Sequence, residues 1–129
     1  MTLAFWSVFA AFALIFAAKL PVGAAQIAMG RYDNNNPREQ QARLEGWGKR
    51  ALAAHQNSFE GFAPFAAAVV VNHLAGGDPG LAGKLGLTYV ISRVVYIGLY
   101  IGDLATLRST VWFIGLACIA GLFLAPAFG

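Results

Sequence analysis

The chain has 129 residues, 58% of them hydrophobic and only 12% charged, with nine Lys or Arg against six Asp or Glu. Its mean hydropathy of +0.61 is far above that of an ordinary soluble domain. The single cysteine, Cys118, excludes an internal disulfide framework, and a net charge of +3 with no basic groove pattern gives no support for nucleic-acid binding.

The length suits four membrane helices of about 20 residues, since a helix rises about 1.5 Å per residue across about 30 Å of hydrocarbon. The expected fold class is therefore all-α: an integral membrane four-helix bundle forming one domain over residues 1–129. No run alternates polar and apolar residues as barrel strands do, and helix is the other way to satisfy the backbone in lipid.

The first span is expected over residues 3–29. MTLAFWSVFAAFALIFAA carries no charge and is longer than the apolar part of a secretory leader, so it reads as a retained span. Lys19 and Pro21 lie deep in this run, Lys19 with a stem long enough to reach an interface. The connection RYDNNNPREQQARLEGWGKR, residues 31–50, is polar, with Asn36 placed to cap a short helix and Pro37 at its first position. The second span is expected over residues 51–74. GGDPG is a turn signal, and a third span follows over residues 81–104. The fourth, residues 109–128, holds no charged residue. Cys118 lies there as a small buried hydrophobe.

Cations are unevenly placed. Arg31, Arg38, Arg43, Lys49, Arg50 and Arg108 fall on the side of the first and third connections, and Lys84 on the other. The positive-inside rule puts the large connection in the cytoplasm and both termini outside.

Two polar stripes interrupt the apolar pattern. In the second span, Arg50, Ala53, Asn57, Glu60 and Pro64 recur at steps of three and four, on one helical face. A bare carboxylate at Glu60 costs several kcal/mol in hydrocarbon, so it must be paired, hydrated or protonated. In the third span, Tyr89, Arg93, Tyr96, Tyr100 and Asp103 share a face in the same way. Glu60 is the natural counter-charge of Arg93 if the two spans meet. Together the stripes outline a cationic cavity for an anionic ligand rich in hydrogen-bonding groups. The plainer reading is also open: Asn57 as glue between helices, Glu60 and Arg93 as a structural pair, His55 and Tyr89 as packing residues, and Arg31, Arg38 and Arg43 as topology signals. No metal-ligating cluster stands out, since His55 and His73 are far apart.

The stretches AHQNSFEGFAPF (residues 54–65) and RVVYIGLY followed by LRS (residues 93–100 and 107–109) carry a family likeness. The chain resembles the MAPEG family, membrane-associated proteins in eicosanoid and glutathione metabolism, as a bacterial-type member. The likeness implies a homotrimer in a bacterial inner membrane, with glutathione bound between subunits near the cytosolic side. By position it makes Arg50, Asn57, Glu60, Arg93 and Tyr96 ligand-binding residues, with Arg108 and Tyr100 catalytic near the thiol. Ala53 and Gln56 stand where glutathione-using relatives often carry further arginines, and Tyr96 stands where one relative has His.

The implied activity is a glutathione-dependent transferase or peroxidase acting on a lipophilic electrophile that arrives from the bilayer. The alternative is a non-catalytic assembly subunit, or a protein that binds lipid or a small anion. A channel or transporter is a third class, but nothing resembles a selectivity filter and the signal for broken helices is poor.

Overall fold

The computed structural model describes all residues, 1–129, as six helices without a strand. In chain order they are α1 (Leu3–Ala17), α2 (Lys19–Ala28), α3 (Pro37–Ala42), α4 (Gly46–Leu74), α5 (Pro79–Ile101) and α6 (Ala105–Phe128). Local chemistry explains most of the boundaries. Thr2 caps α1 by accepting from the Phe5 N–H at 3.4 Å. Asp78 caps α5 by accepting from Leu81 N–H at 2.6 Å, with Pro79 in the first turn where its missing donor is harmless. Pro37 opens α3, while Asn36 occupies the cap position without a side-chain capping bond.

The first apolar run is not one continuous helix. It breaks at Ala18, between α1 and α2. Pro21 has no N–H to return to the preceding turn, which weakens the ladder there. His55 of α4 reaches into the break, its Nδ1 3.0 Å from the Ile15 carbonyl oxygen. That bond gives His55 a packing role away from the polar stripe.

Three segments are long and apolar enough to cross a membrane: Leu3–Ala28, Pro79–Ile101 and Ala105–Phe128. The fourth expected span, α4, is not among them. It is the longest helix, 29 residues or about 44 Å, but its polar residues lower its hydropathy. It packs against α1, α2, α5 and α6, which makes it the centre of the assembly of helices. Its buried residues include Ala51, Ala54, Ser58, Phe65, Ala68, Val69 and Asn72, all on one helical face. Alanines on this face let neighbouring helices approach closely. The larger core joins Phe65, Ala68 and Val69 to Ala4, Ala11, Ala82, Tyr89, Cys118 and Leu122.

Helix α5 ends at Ile101, earlier than the expected span, and Asp103 lies outside it in a left-handed conformation (φ 61°). Asp103 therefore does not extend the polar face of α5. Helix α6 begins earlier than expected, so Arg108 is inside its first turns rather than on the connection.

The polar connection is tied down by two glutamines. Gln26 Nε2 donates to Gln40 Oε1 at 3.1 Å, and Gln40 Nε2 donates to the Arg31 carbonyl at 2.7 Å. The Asp33 N–H donates to the same Gln40 Oε1 at 3.0 Å. Below this clasp, α2 and α4 meet at Gly48, where an added Cβ would lie 2.8 Å from the Ala25 Cβ. Gly48→Ala is expected to destabilise the protein by about 1–3 kcal/mol through overpacking. Thermal unfolding in detergent checks this, and an unchanged midpoint would refute the close-approach argument.

Candidate functional site

The polar stripes of α4 and α5 converge where both helices meet α6. Tyr89 wedges into this junction. Its ring stacks on Phe65 at 3.9 Å between centroids. Its hydroxyl lies over Gly61, where an added Cβ would come within 2.6 Å of the oxygen. Gly115 of α6 faces the ring as well, where an added Cβ would lie 3.7 Å from it. Tyr89 is thus the packing residue that holds the three helices around the site.

One turn further along α5 sits Arg93, 5% exposed. Its guanidinium donates to Asn57 Oδ1. Asn57 Nδ2 in turn donates to Glu60 Oε2 at 3.3 Å. The expected contact of Arg93 with Glu60 is therefore made through Asn57. An amide suits this place because it offers an acceptor to the donor-only guanidinium and a donor to the acceptor-only carboxylate. Arg93 also lies 4.1 Å from the centroid of the Tyr96 ring. One donor remains: Arg93 Nε is buried without a partner. An unpaired buried donor costs roughly 1–3 kcal/mol.

The ladder continues towards the α5–α6 turn. Tyr96 and Tyr100 meet edge to face at 5.6 Å. Arg108 of α6 then covers the Tyr100 ring at 4.4 Å. Two aromatic rings, Tyr96 and Tyr100, thus lie in series between two cations, Arg93 and Arg108. Such contacts are worth about 0.5–2 kcal/mol each, more where water is excluded. Arg50 stands apart from the ladder. Its Nε donates to the Ile101 carbonyl at 3.0 Å, satisfying the end of α5.

Two clefts open along this ladder on the outside of the chain. The first, about 160 Å³, is lined by Asn57, Glu60, Arg93 and Trp112, with Leu116 and Ile119 as its apolar wall. The second, about 240 Å³, lies between Tyr96, Tyr100, Arg108, Trp112 and Phe113. Trp112 is the wall common to both, a role the sequence could not signal because an aromatic in an apolar helix reads as lipid-facing. The donor set suits a small ligand carrying carboxylates and an amine: guanidinium groups at intervals and one exposed carboxylate. Of the residues expected at the site, Asn57, Glu60, Arg93, Tyr96, Tyr100 and Arg108 lie along the ladder, and Arg50 borders it. Ala53 and Gln56 add no charge.

Apolar helices that expose aromatic and aliphatic side chains around an intramembrane polar ladder define a membrane protein. The chain belongs to the MAPEG family, whose profile matches residues 3–128, nearly the whole length. No curated protein matches the sequence significantly.

Proposed function

We propose that the protein is a membrane-embedded glutathione-dependent transferase or peroxidase acting on a lipophilic electrophile. The observation that carries this reading is the ladder from Arg93 to Arg108 beside two open clefts. In this reading the chain is one domain of four spans over residues 1–129, with α4 as the fourth. It works as a homotrimer in a bacterial inner membrane. The large connection is cytoplasmic, as its cations favour. The openness of both clefts in a single chain supports a neighbouring subunit as their missing wall.

When bound, glutathione supplies the thiol that attacks the electrophile as a thiolate. Asn57, Glu60, Arg93 and Tyr96 bind and orient the peptide, Glu60 facing its ammonium and Arg93 a carboxylate. Arg50 retains its terminal nitrogens for a second carboxylate. Arg108 places a fixed positive charge beside the second cleft and lowers the pKa of a thiol held there from its ordinary value of about 8.5. Tyr100 keeps the Arg108 guanidinium in place and offers a hydroxyl to the sulfur. Trp112 and Phe113 give the electrophile an apolar wall continuous with the lipid.

Titrating reduced glutathione into the detergent-purified protein tests the reading. Saturable binding, weakened in Arg93→Ala, is the expected result. Failure of the assembled wild type to bind up to about 10 mM, an affinity weaker than about −2.7 kcal/mol, would overturn it.

One observation favours a second reading, a non-catalytic assembly subunit. Asn57 already links Arg93 and Glu60 within a single chain, so this part of the site has a structural use without a ligand. That reading predicts that Glu60→Gln weakens self-association with no ligand present, as size-exclusion light scattering would register.

A further inference from the structure

A third groove lies between α2 and α4, and shares no lining residue with the two clefts of the ladder. It occupies about 290 Å³ between the end of α2 and the start of α4, and Ala25, Ala28, Met29, Arg43, Leu44, Glu45, Trp47 and Gly48 line it. Nothing in the proposed reaction uses it. We propose that this groove binds the headgroup and upper acyl chain of a zwitterionic aminophospholipid from the surrounding membrane.

Its position comes first. Helix α2 is the closing part of a membrane-capable segment ending at Ala28, and the polar connection begins just beyond. The groove thus lies where hydrocarbon gives way to water. Trp47, 44% exposed, sits at that boundary, where indole is favoured because one edge is apolar and the other can hydrogen-bond. The floor of Ala25, Ala28, Met29 and Leu44 is apolar, and Ala28 and Met29 leave its outer end exposed. A free phosphate or a soluble anion has no use for such a floor. An acyl chain does.

The rim carries the second argument. It holds one cation, Arg43, and one carboxylate, Glu45, both exposed and two residues apart in the bend between α3 and α4. Glu45 stands at the cap position of α4 yet makes no capping bond, so its carboxylate is available. A phosphate fits Arg43, whose planar fork matches phosphate oxygens. A primary ammonium on the same headgroup fits Glu45, and the Trp47 ring adds cation–π attraction. A headgroup with a net negative charge satisfies Arg43 but meets repulsion from Glu45. A trimethylated ammonium keeps its charge but cannot donate a hydrogen bond to Glu45.

The groove is also preorganised. The Gln26–Gln40 clasp fixes α3, and hence Arg43 at its end, against α2. The close approach of Gly48 to Ala25 sets the spacing of the two walls. The backbone that carries Arg43 and Glu45 is thus held before a lipid arrives, and only their side chains remain to be ordered.

Native mass spectrometry of the delipidated full chain tests the proposal. The protein is exposed to an equimolar mixture of phosphatidylethanolamine, phosphatidylcholine and phosphatidylglycerol with matched acyl chains. The wild type should retain phosphatidylethanolamine in about threefold or greater excess over each of the others, a difference of about 0.65 kcal/mol or more. Glu45→Gln should abolish its advantage over both of the others. Arg43→Gln should weaken retention of all three. Equal retention of the three lipids by the wild type would overturn the proposal. So would enrichment of phosphatidylglycerol, which would mark simple attraction to the neighbouring cations such as Lys49. An unchanged preference in Glu45→Gln would remove the ammonium site. Should a variant fail to fold, the wild-type comparison of phosphatidylethanolamine with phosphatidylcholine decides by itself.

Discussion

Arg108→Ala is expected to lower turnover about tenfold at pH 6.5 and to lose that deficit by about pH 9.5. The sign follows from the cation. In the proposed mechanism Arg108 stabilises thiolate over thiol, so its removal returns the thiol pKa upward towards about 8.5. If the charge is worth about two units, the wild type carries about 100-fold more thiolate than the variant below both pKa values. A less basic thiolate is also a weaker nucleophile, and a Brønsted slope of about 0.4–0.5 removes about tenfold of that gain. The net advantage is about tenfold at low pH. It reverses, to about tenfold in favour of the variant, once both proteins are fully ionised. Arg108→Lys keeps a charge but not the planar contact with the Tyr100 ring, so it should retain part of the effect. A pH–rate profile of kcat measures all of this. Profiles of Arg108→Ala and wild type that coincide across the range would remove Arg108 from the mechanism.

Arg93→Met is expected to destabilise the protein by about 2 kcal/mol and to weaken glutathione binding tenfold or more, about 1.4 kcal/mol. Two effects oppose each other here. Removing the guanidinium relieves the unpaired Nε and the cost of burying a cation. It also leaves Asn57 Oδ1 without its donor and Glu60 without the cation at the far end of the chain of bonds. The second effect wins because a carboxylate on an apolar helix surface has no water to replace the lost partner. Glu60→Gln in the Arg93→Met background should therefore recover much of the stability, because no lone charge remains. It should not recover glutathione binding. Denaturant unfolding of the purified chain together with calorimetry separates the two. A single variant as stable as the wild type, with the double variant no better, would show that the Arg93–Asn57–Glu60 link carries little energy.

Much of the architecture was legible because membrane constraints act on one segment at a time. The apolar runs of α1–α2, α5 and α6 were placed from hydropathy and length, and the GGDPG turn from its residues. Their ends moved by a few residues because helices continue past the hydrocarbon for as long as caps and turns allow. The turn at Gly102, with Asp103 left-handed, stops α5 before its polar face is complete. The break at Ala18 was not expected although Pro21 stood in the run, and the side chain that fills it, His55, comes from another helix 40 residues away. Helix α4 showed the limit of hydropathy alone. Its polar residues lower its average, while the helices around it supply contacts that no sequence window contains.

By itself the sequence determined which residues share a face. Steps of three and four put Asn57 with Glu60, and Arg93 with Tyr96 and Tyr100, whatever lies opposite, because the helical repeat is a property of one backbone. Only the tertiary structure decided what those faces meet. It set Asn57 between Arg93 and Glu60, turned Arg50 Nε to the Ile101 carbonyl, and made Trp112 the wall of two clefts. It also brought Gln26 and Gln40 together to hold the polar connection. The physical reason is that periodicity gives a side chain its direction around its own axis. The rotation and depth of one helix against the next are set by how small residues such as Gly61, Gly115 and Gly48 let the helices close.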